Sequence, residues 1–131
     1  MSEAAMWDAL RPLLKGLDPV RVENPVGPGT PDVNYTGGWI ELKYADRWPP
    51  QGGPLRVDHF TKGQRAWIVR RRKAGGRAWV LLKVGEAEWL LFEGITAALY
   101  LGDSTRERLY EIAAARWTRR PEKQEICSCL K

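Results

Sequence analysis

The chain has 131 residues, 44% of them hydrophobic and 28% charged, with a formal net charge of +5. That is the composition of one globular domain with a real core, and it is too short for two. No apolar run approaches the roughly 18 residues of a membrane-spanning helix and no signal-peptide pattern opens the chain, so a cytoplasmic location is expected.

Residues 3 to 17 place Met6, Leu10, Leu13, Leu14 and Leu17 at helical spacing, which predicts a first helix packed on a sheet and kinked or restarted at Pro12. Glu3 and Asp8 lie on this segment. Gly16 ends it, and Val20 to Glu23 alternate like a strand. The prolines and glycines from Asn24 to Gly29 then fix the approach to Asp32. Glu23, at the strand end, is either a third acid beside the site or an ordinary strand-end carboxylate.

Residues 33–35 and 39–44 are rich in β-branched and aromatic side chains and flank Gly37-Gly38, which predicts a hairpin with the two glycines as its loop. In that register Asn34 faces Glu41, Val33 faces Leu42 and Asp32 faces Lys43. Asp32, Asn34, Glu41 and Lys43 then share a polar face, and Val33, Tyr35, Ile40, Leu42 and Tyr44 an apolar one. Asp32 and Glu41 become diagonal neighbours, roughly 7 to 8 Å apart along the backbone, a gap two carboxylates close around one cation. A hard divalent ion keeps several waters, so two carboxylates suffice where a phosphate must also bind. Lys43 points the same way, to balance charge on an attacked phosphodiester or to serve the attacking water. As plain structure, the same acids would be solvated residues of an ordinary hairpin, with Lys43 paired to Asp32.

Residues 45–58 carry too many prolines and glycines for regular structure and are read as a connector, a lid or a DNA-contacting wing. Trp48 is a base-stacking candidate or a core cover. A second helix is predicted from about Lys62 to Ala74, capped by Thr61 and Gln64 and stopped by Gly75-Gly76. Its pattern aims Gln64 toward the sheet, so Gln64 is a cap or a site residue. Residues 59–85 contain eight of the 21 bases and none of the 16 acids. Such a block suits a phosphate surface, with Lys62, Arg65, Arg70, Arg71, Arg72 and Lys73 as the candidate contacts, although a charge run on a helix is also simply solvated.

Residues 77–84 and 88–92 read as buried strands joined at Gly85-Glu86-Ala87. Ser104 and Glu107 suggest a capping box for a last helix facing inward through Leu109, Ile112, Ala113 and Trp117. The expected domain is 1–120, followed by a loose polar tail, 121–131. Cys127 and Cys129 in that tail, with His59 the only histidine, are too few for a structural zinc site and too close to bridge each other.

Pro31-Asp32, eight residues, then Glu41-Leu42-Lys43 resembles the motif of the PD-(D/E)xK nuclease superfamily. The order of elements over residues 5 to 93 is similar to that of small phage-type VRR-NUC proteins and archaeal Holliday-junction resolvases. The resemblance implies a single α/β, restriction-endonuclease-like domain with a central mixed sheet flanked by helices in the order αβββαββα. It implies Mg²⁺ or Mn²⁺ held by Asp32, Glu41 and the Leu42 carbonyl, catalysis by Asp32, Glu41, Lys43 and Gln64, and no organic cofactor. It further implies a homodimer cutting branched DNA such as four-way junctions. Two other functions fit the sequence: a nicking or end-processing nuclease on duplex or single-stranded DNA, and a basic nucleic-acid-binding module without catalysis.

Overall fold

The computed structural model describes residues 2–23, 27 and 29–131; Asn24, Pro25, Val26 and Pro28 of the expected approach loop lie outside the described residues. In chain order, α1 (Glu3–Leu10) runs into a 3-10 turn (Arg11–Leu14), followed by β1 (Val20–Arg21), β2 (Val33–Tyr35) and β3 (Gly38–Ala45). Then come α2 (Lys62–Lys73), β4 (Ala78–Val84), β5 (Glu88–Glu93), α3 (Gly94–Tyr100), α4 (Arg106–Ile112), β6 (Ala115–Trp117) and α5 (Lys123–Leu130). Pro12 sits at the start of the 3-10 turn, so the restart expected there occurs.

Among the described residues the strands form one six-stranded sheet in the order β1-β2-β3-β4-β5-β6. Only β3 and β4 pair in parallel, because α2 forms the crossover between them; the other pairs are antiparallel. The fold is therefore the α/β mixed sheet flanked by helices that the sequence implied.

Both faces of the sheet are covered. Val80, Leu82, Leu90 and Phe92 pack with Trp67 and Ile68 of α2, Ala97 of α3 and Leu109 of α4. On the reverse, Val33, Tyr35, Ile40, Leu42, Leu81, Trp89 and Leu91 pack with α1, the 3-10 turn and Ile126 and Leu130 of α5. This double burial is why β4 and β5 are almost continuously apolar rather than alternating. It also corrects the expected polar face of the hairpin: Glu41 and Lys43 point into the α2 side and are each only 2% exposed.

Two further expectations are corrected, and one open reading is narrowed. The segment taken as a loose tail forms α5, whose Ile126 and Leu130 are fully buried. The Leu130 carbonyl accepts hydrogen bonds from the Tyr35 hydroxyl at 2.9 Å and from Arg77 at 3.4 Å. Thr105, not Ser104, caps α4, and Trp117 belongs to edge strand β6 rather than to that helix. The loop after β3 is pinned rather than lid-like. Trp48 donates to Glu88 at 2.7 Å and meets the Tyr110 ring edge-on, while buried Leu55 bridges to Ser104.

The hairpin register differs from expectation by two residues. Val33 pairs with Ile40, Asn34 with Trp39 and Tyr35 with Gly38, so Thr36 and Gly37 form the turn. Gly38 is a strand residue because a Cβ there would lie 2.6 Å from the Arg77 carbonyl. Its missing side chain serves a close approach to the start of β4, where Trp39 N–H bonds that same carbonyl at 3.0 Å, rather than a left-handed turn. A slip of two keeps every side chain on its expected side. Continued by one pair, the register sets Asp32 directly opposite Glu41.

Candidate active site

Asp32 follows buried Pro31 and immediately precedes β2, where its carbonyl accepts from Val22 N–H at 2.7 Å. One carboxylate oxygen, Oδ2, accepts from the Leu42 amide at 2.8 Å, and Oδ1 lies 3.8 Å from the Arg21 guanidinium. The Asp32 side chain thus takes the place of a ladder acceptor just where β2 has not yet begun, which fixes the carboxylate beside β3.

Glu41 stands next to it on the α2 side of the sheet. Its Oε2 lies 3.0 Å from Lys43 Nζ in a pair that is 2% exposed at both ends, and its Oε1 is buried without a hydrogen-bond partner. Burial first, and the neighbouring Asp32 carboxylate second, push the Glu41 carboxyl up to about 8, with Lys43 offsetting part of the rise. Two carboxylates in contact and one orphaned buried oxygen form an electrostatically incomplete site that a divalent cation would complete.

Lys43 Nζ has three acceptors: Glu41, Gln64 Oε1 at 3.1 Å and the His59 carbonyl at 2.9 Å. Gln64 is the cap that the sequence offered, and its side chain also reaches Lys43. The same Oε1 accepts the Thr61 amide at 3.0 Å, and Thr61 Oγ1 accepts the Gln64 amide at 3.1 Å, closing the expected capping box. The helix cap thereby delivers an amide oxygen to the lysine. Gly29, at φ +88, holds the loop before Asp32 against this same helix start, since a Cβ there would sit 2.4 Å from the Gly63 carbonyl.

Of the acids Glu3, Asp8 and Glu23, Glu3 is the one that feels the charges of Asp32 and Lys43. Half-buried at the start of α1, it is raised above the ordinary carboxylate range by burial and by Asp32, against the pull of Lys43, Arg21 and His59. Asp8 and Glu23 are exposed. Among the described residues no three His, Cys, Asp or Glu side chains are grouped to hold a metal by themselves. A cleft of about 470 Å³ opens beside Glu3 and His59, lined also by Tyr44, Arg47 and Arg56.

The basic candidates separate into two groups. Arg65 donates to the Phe60 carbonyl at 3.2 Å and the Ala98 carbonyl at 2.9 Å, Arg72 pairs with Glu93, and Arg71 lies over the Trp67 ring at 4.5 Å. These brace α2 against its neighbours, and Arg70 to Lys73 also sit at the negative end of the helix dipole. Lys62, Arg70 and Lys73 are exposed, with no side-chain partner among the described residues. Arg21 and the His59 carbonyl were missed from sequence. Neither a strand arginine nor a main-chain oxygen carries a signal before the chain is folded.

No family model matches the sequence, and no curated protein matches it. Among solved structures, the chain is similar to Hjc, a Holliday junction resolvase from the archaeal hyperthermophile Archaeoglobus fulgidus. The two share 26% identity and a TM-score of 0.50, over 71% of this chain and 77% of that one. The chain has the PD-(D/E)xK nuclease fold. The Pro31-Asp32 and Glu41-Leu42-Lys43 segments that carry the sequence resemblance lie side by side near the N-terminus of α2.

Proposed function

We propose that this chain is a divalent-metal-dependent endonuclease that hydrolyses phosphodiester bonds in branched DNA, with four-way junctions as its substrate class. The observation that carries the reading is the Asp32–Glu41 pair, in which part-exposed Asp32 stands beside a buried Glu41 with one oxygen unsatisfied and a triply hydrogen-bonded Lys43 next to it. The likeness to Hjc supports the nuclease class and the branched substrate.

Asp32, Glu41 and the Leu42 carbonyl would hold Mg²⁺ or Mn²⁺, which supplies Lewis acidity and lowers the pKa of water when bound. The Leu42 amide holds Asp32 Oδ2, and Oδ1, 3.8 Å from Arg21, would be the oxygen available to the ion. Lys43, poised between Glu41 and Gln64, orients the attacking water and balances the charge that builds on the phosphoryl oxygens. Gln64 keeps the ammonium in place without adding charge. Exposed Lys62, Arg70 and Lys73 bind the flanking phosphates, and a two-fold homodimer would present two such sites to the paired strands of a junction.

The test is a set of labelled four-way junction, splayed duplex, linear duplex and single strand, each with Mg²⁺ or with chelator. Cleavage should need the metal and favour the junction. Asp32→Ala, Glu41→Ala and Lys43→Ala should each abolish it while the protein stays folded by circular dichroism. Full activity in all three variants would sink the proposal. Equal cutting of linear and branched DNA would instead indicate end processing, and metal-independent binding without cleavage a non-catalytic module.

A further inference from the structure

Two of the three groups holding Lys43 are side chains, but the third is the main-chain carbonyl of His59. His59 has φ +67, a left-handed backbone that a non-glycine residue adopts only at a cost. The reason lies in its neighbours. Asp58 is exposed, whereas Phe60 is buried and Thr61 must cap α2, so the chain has to turn inward at residue 59. Phe60 then lies under both Lys43 and Arg65, its ring centroid 5.4 Å from Lys43 Nζ, and its carbonyl accepts from Arg65. The same turn swings the His59 carbonyl to within 2.9 Å of Lys43 Nζ and leaves the imidazole exposed in the adjoining cleft.

We propose that His59 is a positioning residue for Lys43. Its left-handed backbone, rather than its imidazole, aims a carbonyl that keeps the ammonium between Glu41 and Gln64. The consequence for cleavage rests on the nuclease reading above; the restraint on Lys43 does not.

His59→Gly, His59→Ala and His59→Val all lack the imidazole and differ in how readily they adopt the left-handed conformation: glycine freely, alanine with difficulty, valine least. Two quantities are measured. The first is the rate at which an amine-reactive reagent modifies Lys43 in the folded, metal-free protein, followed by peptide mass spectrometry. The second is kcat and KM on a four-way junction. Lys43 should stay as protected in the glycine variant as in the wild type and become progressively more reactive through alanine to valine. Glycine should likewise restore cleavage, while valine lowers kcat by about tenfold or more with KM unchanged. Equal loss in all three variants would overturn the proposal in favour of the imidazole, and a fully protected Lys43 in the valine variant would overturn it outright. If valine prevents folding, the glycine and alanine pair decides alone. If the wild type cleaves no DNA, the nuclease reading fails while the order of Lys43 protection still decides the role of His59.

Discussion

Glu41 is where burial and chemistry meet, and its raised pKa makes a signed prediction. Between the ordinary glutamate value of 4.5 and about 8, the folded protein holds a proton that the unfolded chain has released. Stability without metal should therefore fall as pH rises through that window. Glu41→Gln should flatten this part of the profile of melting temperature against pH. Added Mg²⁺ should stabilise the wild type more toward the alkaline end, because the ion needs the ionised carboxylate. Superimposable profiles for wild type and Glu41→Gln would show that Glu41 does not titrate as its surroundings require. Gln64 is also tested at this scale, since one oxygen serves both the cap and the lysine. Gln64→Glu should leave the melting temperature close to that of the wild type, because glutamate closes the same capping box. By adding a carboxylate that competes with Glu41 for Lys43, it should still slow cleavage by about tenfold. Unchanged cleavage would reduce Gln64 to a cap.

Two elements locate the site. At its N-terminus α2 meets the loop before Asp32 through Gly29 and Gly63, and it reaches Lys43 through Gln64. On the opposite face α5 closes the core beneath the hairpin, with Leu130 fully buried and its carbonyl bonded to Tyr35. Residues 121–131 therefore contribute to stability as a helix rather than trailing as a tail. Leu130→Ala or Ile126→Ala should each cost about 2 to 5 kcal/mol in denaturant unfolding. A loss within a few tenths of a kcal/mol would mean that α5 is dispensable.

Across the whole molecule, the question is which of the clustered bases meet DNA. Arg65, Arg71 and Arg72 already have intramolecular partners, whereas Lys62, Arg70 and Lys73 face solvent. Replacing the exposed three with alanine should leave stability unchanged and weaken binding to every DNA shape alike. The slope of log affinity against log salt should become shallower by about one for each phosphate that is no longer neutralised. Arg65→Ala should do the reverse, lowering stability by about 1 to 3 kcal/mol through the lost hydrogen bonds to the Phe60 and Ala98 carbonyls. Binding that is indifferent to salt would show that these bases do not form a phosphate surface.

Local chemistry was legible from the residues themselves. The Thr61–Gln64 cap, the break at Pro12, the buried character of β4 and β5 and the grouping of Asp32, Glu41 and Lys43 on one side of the hairpin all follow from spacing within a single element. The side-chain grouping survived the misread turn because a slip of two residues preserves the pleat. Residues far apart in sequence decided the rest. Gly38 is needed for Arg77, Leu130 for Tyr35, and the His59 carbonyl and Gln64 for Lys43. A contact between distant segments leaves no period to read, so only the closing of the sheet between its two helical layers could place them together.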